Sequence, residues 1–292
     1  MDTNVKSRKI IFRNADHVYT AIISPDNYGY IIKFGGKYEK CINISITIVD
    51  GVPLYGTISH IQSEQECTLD TILLHEETAN FVRACLQICS MTFPGLTRIV
   101  FDDMSNIDCG LSKNSKPPRK LEKPFSLAPL HMAVYGQTWY EMKFGAKLEN
   151  EELYKKYRDS IQILYEPKNI EYSKFKQLNH LTPEQEAILE PLYKSDESWN
   201  MLFKSIPRIQ RCTALYNWLP TFITRILKIQ YTSMNWFITI NTMEQIPIEI
   251  LPSYSSSDTE EHKGGRRNKT HRSKRNNRRL FTNQFEGWKM FA

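Results

Sequence analysis

The sequence predicts an α/β or α+β fold, a mixed central sheet with helices packed on it. Three observations carry this expectation. The first third holds five short runs rich in Ile, Val, Tyr and Thr separated by turn signals. A stretch of helical periodicity follows, and after it a short, nearly continuous apolar run. Strand, hairpin, helix, strand is the order that lays a helix on a sheet. With 292 residues, 41% hydrophobic and 24% charged, the chain has ordinary globular composition, which excludes a mainly disordered or fibrous protein. That length suits two domains of about 150 residues or one large one.

The expected strands are Lys9 to Phe12, Val18 to Ile23, Gly29 to Phe34, Cys41 to Val49 and Leu54 to Ile61. Ser24-Pro25-Asp26-Asn27, Gly35-Gly36 and Asp50-Gly51 separate them as turns. Ile42, Ile44, Ile46 and Ile48 alternate with Asn43, Ser45, Thr47 and Val49, so one sheet face is apolar and the other largely polar. Asp70 reads as the N-cap of a helix over Thr71 to Met91, with Leu74, Thr78, Phe81, Val82, Cys85, Ile88 and Cys89 on one face. Pro94-Gly95 ends it, and Thr97 to Phe101 is the next strand. Ser112 to Pro124 is a polar loop. A second helix is expected from about Ser126 to Phe144, with Gly145 as its C-terminal cap. Helices then dominate to about residue 230. Asn150 to Leu164 is amphipathic, Thr182-Pro183-Glu184-Gln185 is a start signal, and Pro207 and Pro220 are breaks. Met234 to Ile240 returns to strand, with Ile246 to Leu251 as its partner. No internal repeat is visible.

The formal charge of +6 is unevenly placed. Lys263, Arg266, Arg267, Lys269, Arg272, Lys274, Arg275, Arg278 and Arg279 fall in one stretch without an acid, and elsewhere 29 basic residues face 32 acidic ones, a net of −3. A stretch with no large apolar residue cannot bury enough surface to fold alone, so a disordered basic tail is expected. Such a tail binds nucleic acid or another polyanion by neutralising phosphates, without reading sequence, and is equally legible as an import signal. Beyond it Phe281, Phe285, Trp288 and Phe291 form one stripe of a short helix, which suits docking into a groove on this chain or on a protein partner.

Met1 to Lys9 lacks the apolar run of a secretory signal. The most apolar stretch, Leu215 to Ile240, is interrupted by Asn217, Arg225, Lys228 and Asn235, so no transmembrane segment is expected. The six cysteines (Cys41, Cys67, Cys85, Cys89, Cys109 and Cys212) are too sparse for a disulfide scaffold, and free thiols are expected. The chain therefore reads as intracellular, and its two Asn-x-Ser/Thr sequons as chance.

Several chemistries lack their residues. His75-Glu76 suggests the helical His-Glu-x-x-His zinc motif, but Ala79 stands where the second histidine belongs. Cys85 and Cys89 lie one turn apart on the apolar face and read as buried small hydrophobes. No metal ligands are assigned. Asp102, Asp103 and Asp108 follow a buried strand, where paired acids hold Mg²⁺ in some enzymes; the alternative is that Asp103 and Ser105 cap a turn. A phosphate-binding loop, a dinucleotide fingerprint and a Gly-x-Ser-x-Gly elbow are all absent.

Phe101-Asp-Asp-Met-Ser-Asn-Ile-Asp-Cys109, Ser126-Leu127 and Tyr135-Gly-Gln-Thr-Trp-Tyr-Glu141 resemble a family of largely uncharacterised proteins from giant nucleocytoplasmic DNA viruses. The likeness covers roughly residues 70 to 146 and the Lys/Arg/Asn/Thr-rich tail. It implies no established activity, and it implies a site of action in the host cytoplasm, viral factory, nucleus or virion. The element order also resembles the GNAT-type N-acetyltransferase fold. In that family the helix after the hairpin opens with a glycine-containing loop whose backbone amides bind the pyrophosphate of coenzyme A. Here no glycine occurs from Thr57 to Pro94, and Glu64, Glu66, Glu76 and Glu77 occupy the neighbourhood. By the same resemblance Tyr140 corresponds to the tyrosine that protonates the departing thiolate.

These readings divide the chain into an N-acetyltransferase-like core over 1–149, a helical extension with returning strands over 150–252, a Ser-rich and basic linker over 253–280, and an aromatic segment over 281–292. The expected function is that of a non-catalytic viral protein whose basic tail binds nucleic acid or another polyanion, with no cofactor. The alternative is a divergent N-acetyltransferase using acetyl-CoA and Tyr140.

Overall fold

In a computed structural model, which describes residues 7–61, 65–103, 105–107, 125–231 and 234–252, the alternating runs of the first third become a meander. It comprises β1 (Arg8–Asn14), β2 (His17–Asp26), β3 (Gly29–Gly35), β4 (Ile42–Val49) and β5 (Val52–Ile61), each antiparallel to the next. In β4 the side chains of Ile42, Ile44 and Ile46 are buried and those of Asn43, Ser45 and Thr47 only half-buried. That is the one-sided pattern a sheet with a single covered face requires.

The cover is α1 (Thr78–Thr92), which buries Phe81, Val82, Cys85, Leu86, Ile88 and Cys89. The Phe81 ring stacks on Tyr19 of β2 at 4.6 Å, and Tyr19 stacks on Phe12 of β1 at 5.4 Å. Truncating a buried phenylalanine of this kind to alanine costs about 3–5 kcal/mol, so Phe81→Ala would loosen the helix from the sheet. Residues 71–77, expected in this helix, lie outside it and end in a single 3-10 turn over His75–Glu77. The Asp70 carboxylate is engaged elsewhere, accepting from the Val18 backbone N–H at 3.0 Å, and the side chain of Glu77 does not cap the helix.

β6 (Arg98–Asp102) then joins β5 in parallel, and β7 (Asn106–Ile107) pairs with β8 (Phe125–Ser126) in a separate ribbon. The long helix expected from 126 to 144 is two helices, α2 (Leu127–Tyr135) and α3 (Trp139–Phe144). Gly136 interrupts them at φ +70, a left-handed conformation that favours glycine. Thr138 restarts the chain as α3 with a capping box closed by Glu141.

β9 (Lys147–Leu148) is followed by α4 (Glu151–Gln162), α5 (Tyr172–Asn179), α6 (Pro183–Ser195), α7 (Trp199–Ser205), α8 (Arg211–Leu215) and α9 (Leu219–Arg225). The Thr182 start signal is a capping box with Gln185. Pro220 opens α9 instead of breaking a helix, since a first-turn proline forgoes no hydrogen bond. Phe175, Tyr193, Trp199, Trp218 and Phe222 interlock at the centre of these helices, with ring centroids 4.8–6.0 Å apart among the pairs in contact.

The chain finally returns to the sheet through β10 (Asn235–Thr239) and β11 (Glu249–Leu251). The sheet order is β11-β1-β2-β3-β4-β5-β6-β10-β9. The expected pairing of the last two strands does not form. β10 lies between β6 and β9, while β11 pairs with β1 through Ile11, Phe12 and Arg13 at the far edge. The fold is thus mixed α+β. Among the described residues no helix is long and apolar enough to cross a membrane.

One cysteine expectation is corrected. Cys41 and Cys67 are joined in a disulfide with Cα atoms 5.8 Å apart, and Cys212 is disulfide-bonded as well. The loop after β3 and the loop after β5 are held side by side by Lys37 N–H to Thr68 O at 3.2 Å and Tyr38 N–H to Glu66 O at 2.9 Å. That register brings the two sulfurs together across 26 residues of sequence. Cys85 and Cys89 are free thiols and buried, as read from the helix face.

Candidate functional site

β5 and β6 are parallel partners at only two positions, Gly56 with Ile99 and Thr57 with Val100. Beyond them β5 stays with β4 as far as Ile61, and β6 stays with β10 as far as Asp102. The junction itself is filled. The Ile99 side chain is fully buried, and a Cβ on Gly56 would stand 2.3 Å from its Cδ1.

Just past the end of β6 the structure brings together two groups that are far apart in sequence. Asp103 is 9% exposed and its Oδ1 accepts the Ser105 backbone N–H at 3.2 Å, the turn cap expected for this pair. The Ser105 hydroxyl lies 3.2 Å from the Tyr140 hydroxyl on α3. Tyr140 is buried, with its ring 4.4 Å from that of Phe101 and edge-on to Trp139 at 4.9 Å. Burial pushes the Asp103 carboxyl up from 3.8 to about 6, against the hydrogen bonds from Ser105 and with a further push from Glu141. Burial likewise holds the Tyr140 phenol far above its ordinary range, and the Asp103 charge adds to this. Tyr140 is therefore a protonated donor throughout the neutral range, beside an acid that changes charge just below it. Asp102, the last residue of β6, is exposed where Asp103, just past it, is buried. The two carboxylates therefore do not converge on one cation.

Glu141, adjacent to Tyr140, is also buried and serves structure. It accepts the Thr138 backbone N–H at 2.7 Å, the Tyr157 hydroxyl at 2.5 Å and the Tyr154 hydroxyl at 3.3 Å, with Arg158 at 3.7 Å. These contacts fix α3, and with it Tyr140, against α4.

The N-terminus of α1 is the other place the sequence singled out. Glu77, at its N-cap, turns its carboxylate back so that Oε2 accepts the Leu74 backbone N–H at 2.8 Å, while Oε1 lies 2.9 Å from His17 Nε2. A helix N-terminus attracts anions, and here one of the chain's own carboxylates already stands beside it.

A groove of about 310 Å³ lies on the opposite side of the sheet order, lined by Arg8, Ile10, Ile88, Met91, Ile250 and Leu251. It does not include Tyr140 or Asp103. Among the described residues no group of three or more His, Cys, Asp or Glu could hold a metal ion. The nine basic residues from Lys263 to Arg279 and the aromatic positions Phe281, Phe285, Trp288 and Phe291 lie outside the described residues, as does Asp108.

Sequence reasoning found Tyr140, Asp103 and Ser105 separately but not their junction, which needs α3 folded over the end of β6. It missed the assembly of His17 with Glu77, for which no local spacing gives a signal. Comparison with family models, curated proteins and solved structures finds no match to this chain.

Proposed function

We propose that this is a viral protein with an N-acetyltransferase-like core that binds nucleic acid or another polyanion non-specifically through the Lys263 to Arg279 stretch, and that its core does not use acetyl-CoA. The observation that carries the reading is the segregation of charge, nine basic residues in one acid-free stretch against a net of −3 elsewhere. A faintly acidic body contributes little attraction to phosphate, so the binding energy and its salt dependence reside in the tail. The core assignment is supported by the parallel β5–β6 pair bridged by α1, with Tyr140 on a helix that follows. The absence of coenzyme use is supported by Glu77 at the α1 N-terminus and by Ile99 over Gly56.

One observation favours a second reading, a divergent acyl-CoA-dependent N-acetyltransferase. Tyr140 keeps its proton and sits beyond the end of β6, where a departing thiolate would need one. Calorimetric titration of the full chain with acetyl-CoA separates the two. No binding heat up to millimolar ligand is the expected result, and a stoichiometric isotherm that weakens in Tyr140→Phe would establish the second reading instead. The tail is tested by changing its nine basic residues to Gln and following the salt dependence of DNA binding.

A further inference from the structure

The contact between His17 and Glu77 is one half of a larger constellation. His17 opens β2, and its Nδ1 lies 2.5 Å from the Thr71 hydroxyl. Its Nε2 stands 2.9 Å from Glu77 Oε1 without forming a hydrogen bond to it, so this second contact is electrostatic. The other Glu77 oxygen is engaged by the Leu74 backbone N–H. Hydroxyl, imidazole and carboxylate thus stand in series, contributed by the loop after β5, by β2 and by the residue that opens α1.

The chemistry of the ring follows from its neighbours. A carboxylate 2.9 Å from Nε2 favours a proton there over a lone pair by charge alone. In the neutral imidazole Nδ1 then presents its lone pair to the Thr71 hydroxyl. That is the arrangement of a nucleophile, a general base and an orienting acid, with the two ring nitrogens exchanged relative to serine hydrolases. Asp70 Oδ1 lies 3.4 Å from the same hydroxyl, too far to compete with Nδ1.

Access runs the right way for a reaction. Thr71 is exposed and His17 is only 7% exposed, so substrate meets the hydroxyl before the base. The loop that carries Thr71 is fixed at several points. Cys67 is tied to Cys41, Leu69 N–H donates to Val18 O at 2.8 Å, and Asp70 accepts from Val18 N–H. Holding the reacting groups on clamped backbone is what catalysis asks of a scaffold. Two large apolar side chains, Ile72 and Leu74, are more than half exposed beside Thr71, a surface suited to an apolar acyl group.

We propose that Thr71, His17 and Glu77 form a second site that cleaves carboxylic esters of apolar acids, with Thr71 as nucleophile and His17 as base. The Thr71 Oγ1 adds to the ester carbonyl as its proton passes to His17 Nδ1, and the ester C–O bond breaks. His17 returns that proton to the departing alcohol, leaving an acyl-threonine. Water then adds to the acyl carbon, its proton passing through His17, and the free acid leaves with the threonine restored. Glu77 stabilises the imidazolium present in both steps. The site is independent of the tail and of acetyl-CoA.

The full chain is treated with p-nitrophenyl butyrate and, separately, with a fluorophosphonate probe, and the modified residue is located by peptide mass spectrometry. The expected result is probe mass on the peptide containing Thr71 and release of p-nitrophenol. Thr71→Val, which keeps the side-chain shape, should lose labelling and at least 100-fold in rate, while Thr71→Ser should retain both. His17→Gln should lose activity with its circular-dichroism spectrum unchanged. If His17→Gln misfolds, Thr71→Val alone decides. An unlabelled wild type, a label on another residue, or a Thr71→Val variant as fast as the wild type would overturn the proposal.

Discussion

The Tyr140 hydroxyl lies 3.2 Å from the Ser105 hydroxyl, and Ser105 in turn gives its backbone N–H to Asp103. A residue on α3 is thereby coupled to an acid at the end of a parallel strand. Tyr140→Phe leaves the aromatic packing against Phe101 and Trp139 in place and removes the hydroxyl contact alone. Loss of one such bond costs about 1 kcal/mol, to be read as a lower urea midpoint with an unchanged m-value.

Asp103 gives the site a pH dependence of definite sign. Its carboxyl titrates near 6 when folded and near 3.8 otherwise, so between these values the folded chain holds more protons. The stabilising contribution of the protonated form is complete below pH 3.8 and is lost as pH rises through 6. Asp103→Asn cannot ionise. It should therefore gain on the wild type over that interval, by about 3 kcal/mol at most, when urea midpoints are compared at pH 4 and pH 7.5.

His131 acts in the opposite sense. Its ring is fully buried on α2, and burial lowers its titration from 6.5 to about 4, helped by the charges of Lys143 and Arg211. The folded state resists protonation, so stability is lost as pH falls from 6.5 towards 4. His131→Asn should flatten that acid limb. Over the shared interval the wild type should show a shallower profile than either variant predicts alone, because the Asp103 and His131 contributions oppose one another.

The Cys41–Cys67 disulfide closes a loop across 26 residues, for which a chain-entropy account gives about 3.5 kcal/mol. Cys67→Ser should lower stability by about that amount, and a non-reducing peptide map of the wild type should recover the two cysteines as one linked pair. Recovery of Cys41 and Cys67 as separate alkylated peptides would contradict the assignment.

Local chemistry made much of this fold legible in advance. The alternation of Ile42, Ile44 and Ile46 placed β4, the Asp50-Gly51 turn placed the hairpin into β5, and Thr182 with Gln185 placed the start of α6. Each of those signals acts within a few residues of the structure it specifies. The failures share a different cause. Asp70 looked like a cap because its real partner, Val18, is 52 residues away. The break at Gly136 is the exception, a local left-handed cap that ends α2. Sequence proximity points β11 to β10, but the edge that accepts it is β1. Sparse cysteines read as free thiols because two loops had to meet before Cys41 could reach Cys67. The candidate sites follow suit. Tyr140 is singled out in the sequence by a family resemblance alone, whereas His17, Thr71 and Glu77 converge only once β2, the loop and α1 are in place.

The central proposal, that polyanion binding resides in the Lys263 to Arg279 stretch, is tested most directly by the salt dependence of binding. Affinity for a duplex DNA of arbitrary sequence is measured by fluorescence anisotropy from 50 to 300 mM salt, for the full chain and for the full chain with all nine of these residues changed to Gln. The predicted result is a steep slope of log affinity against log salt, up to about −8 if all nine neutralise phosphates, that collapses towards zero in the neutralised chain. Equal affinity and an equal slope in the two proteins would contradict the account.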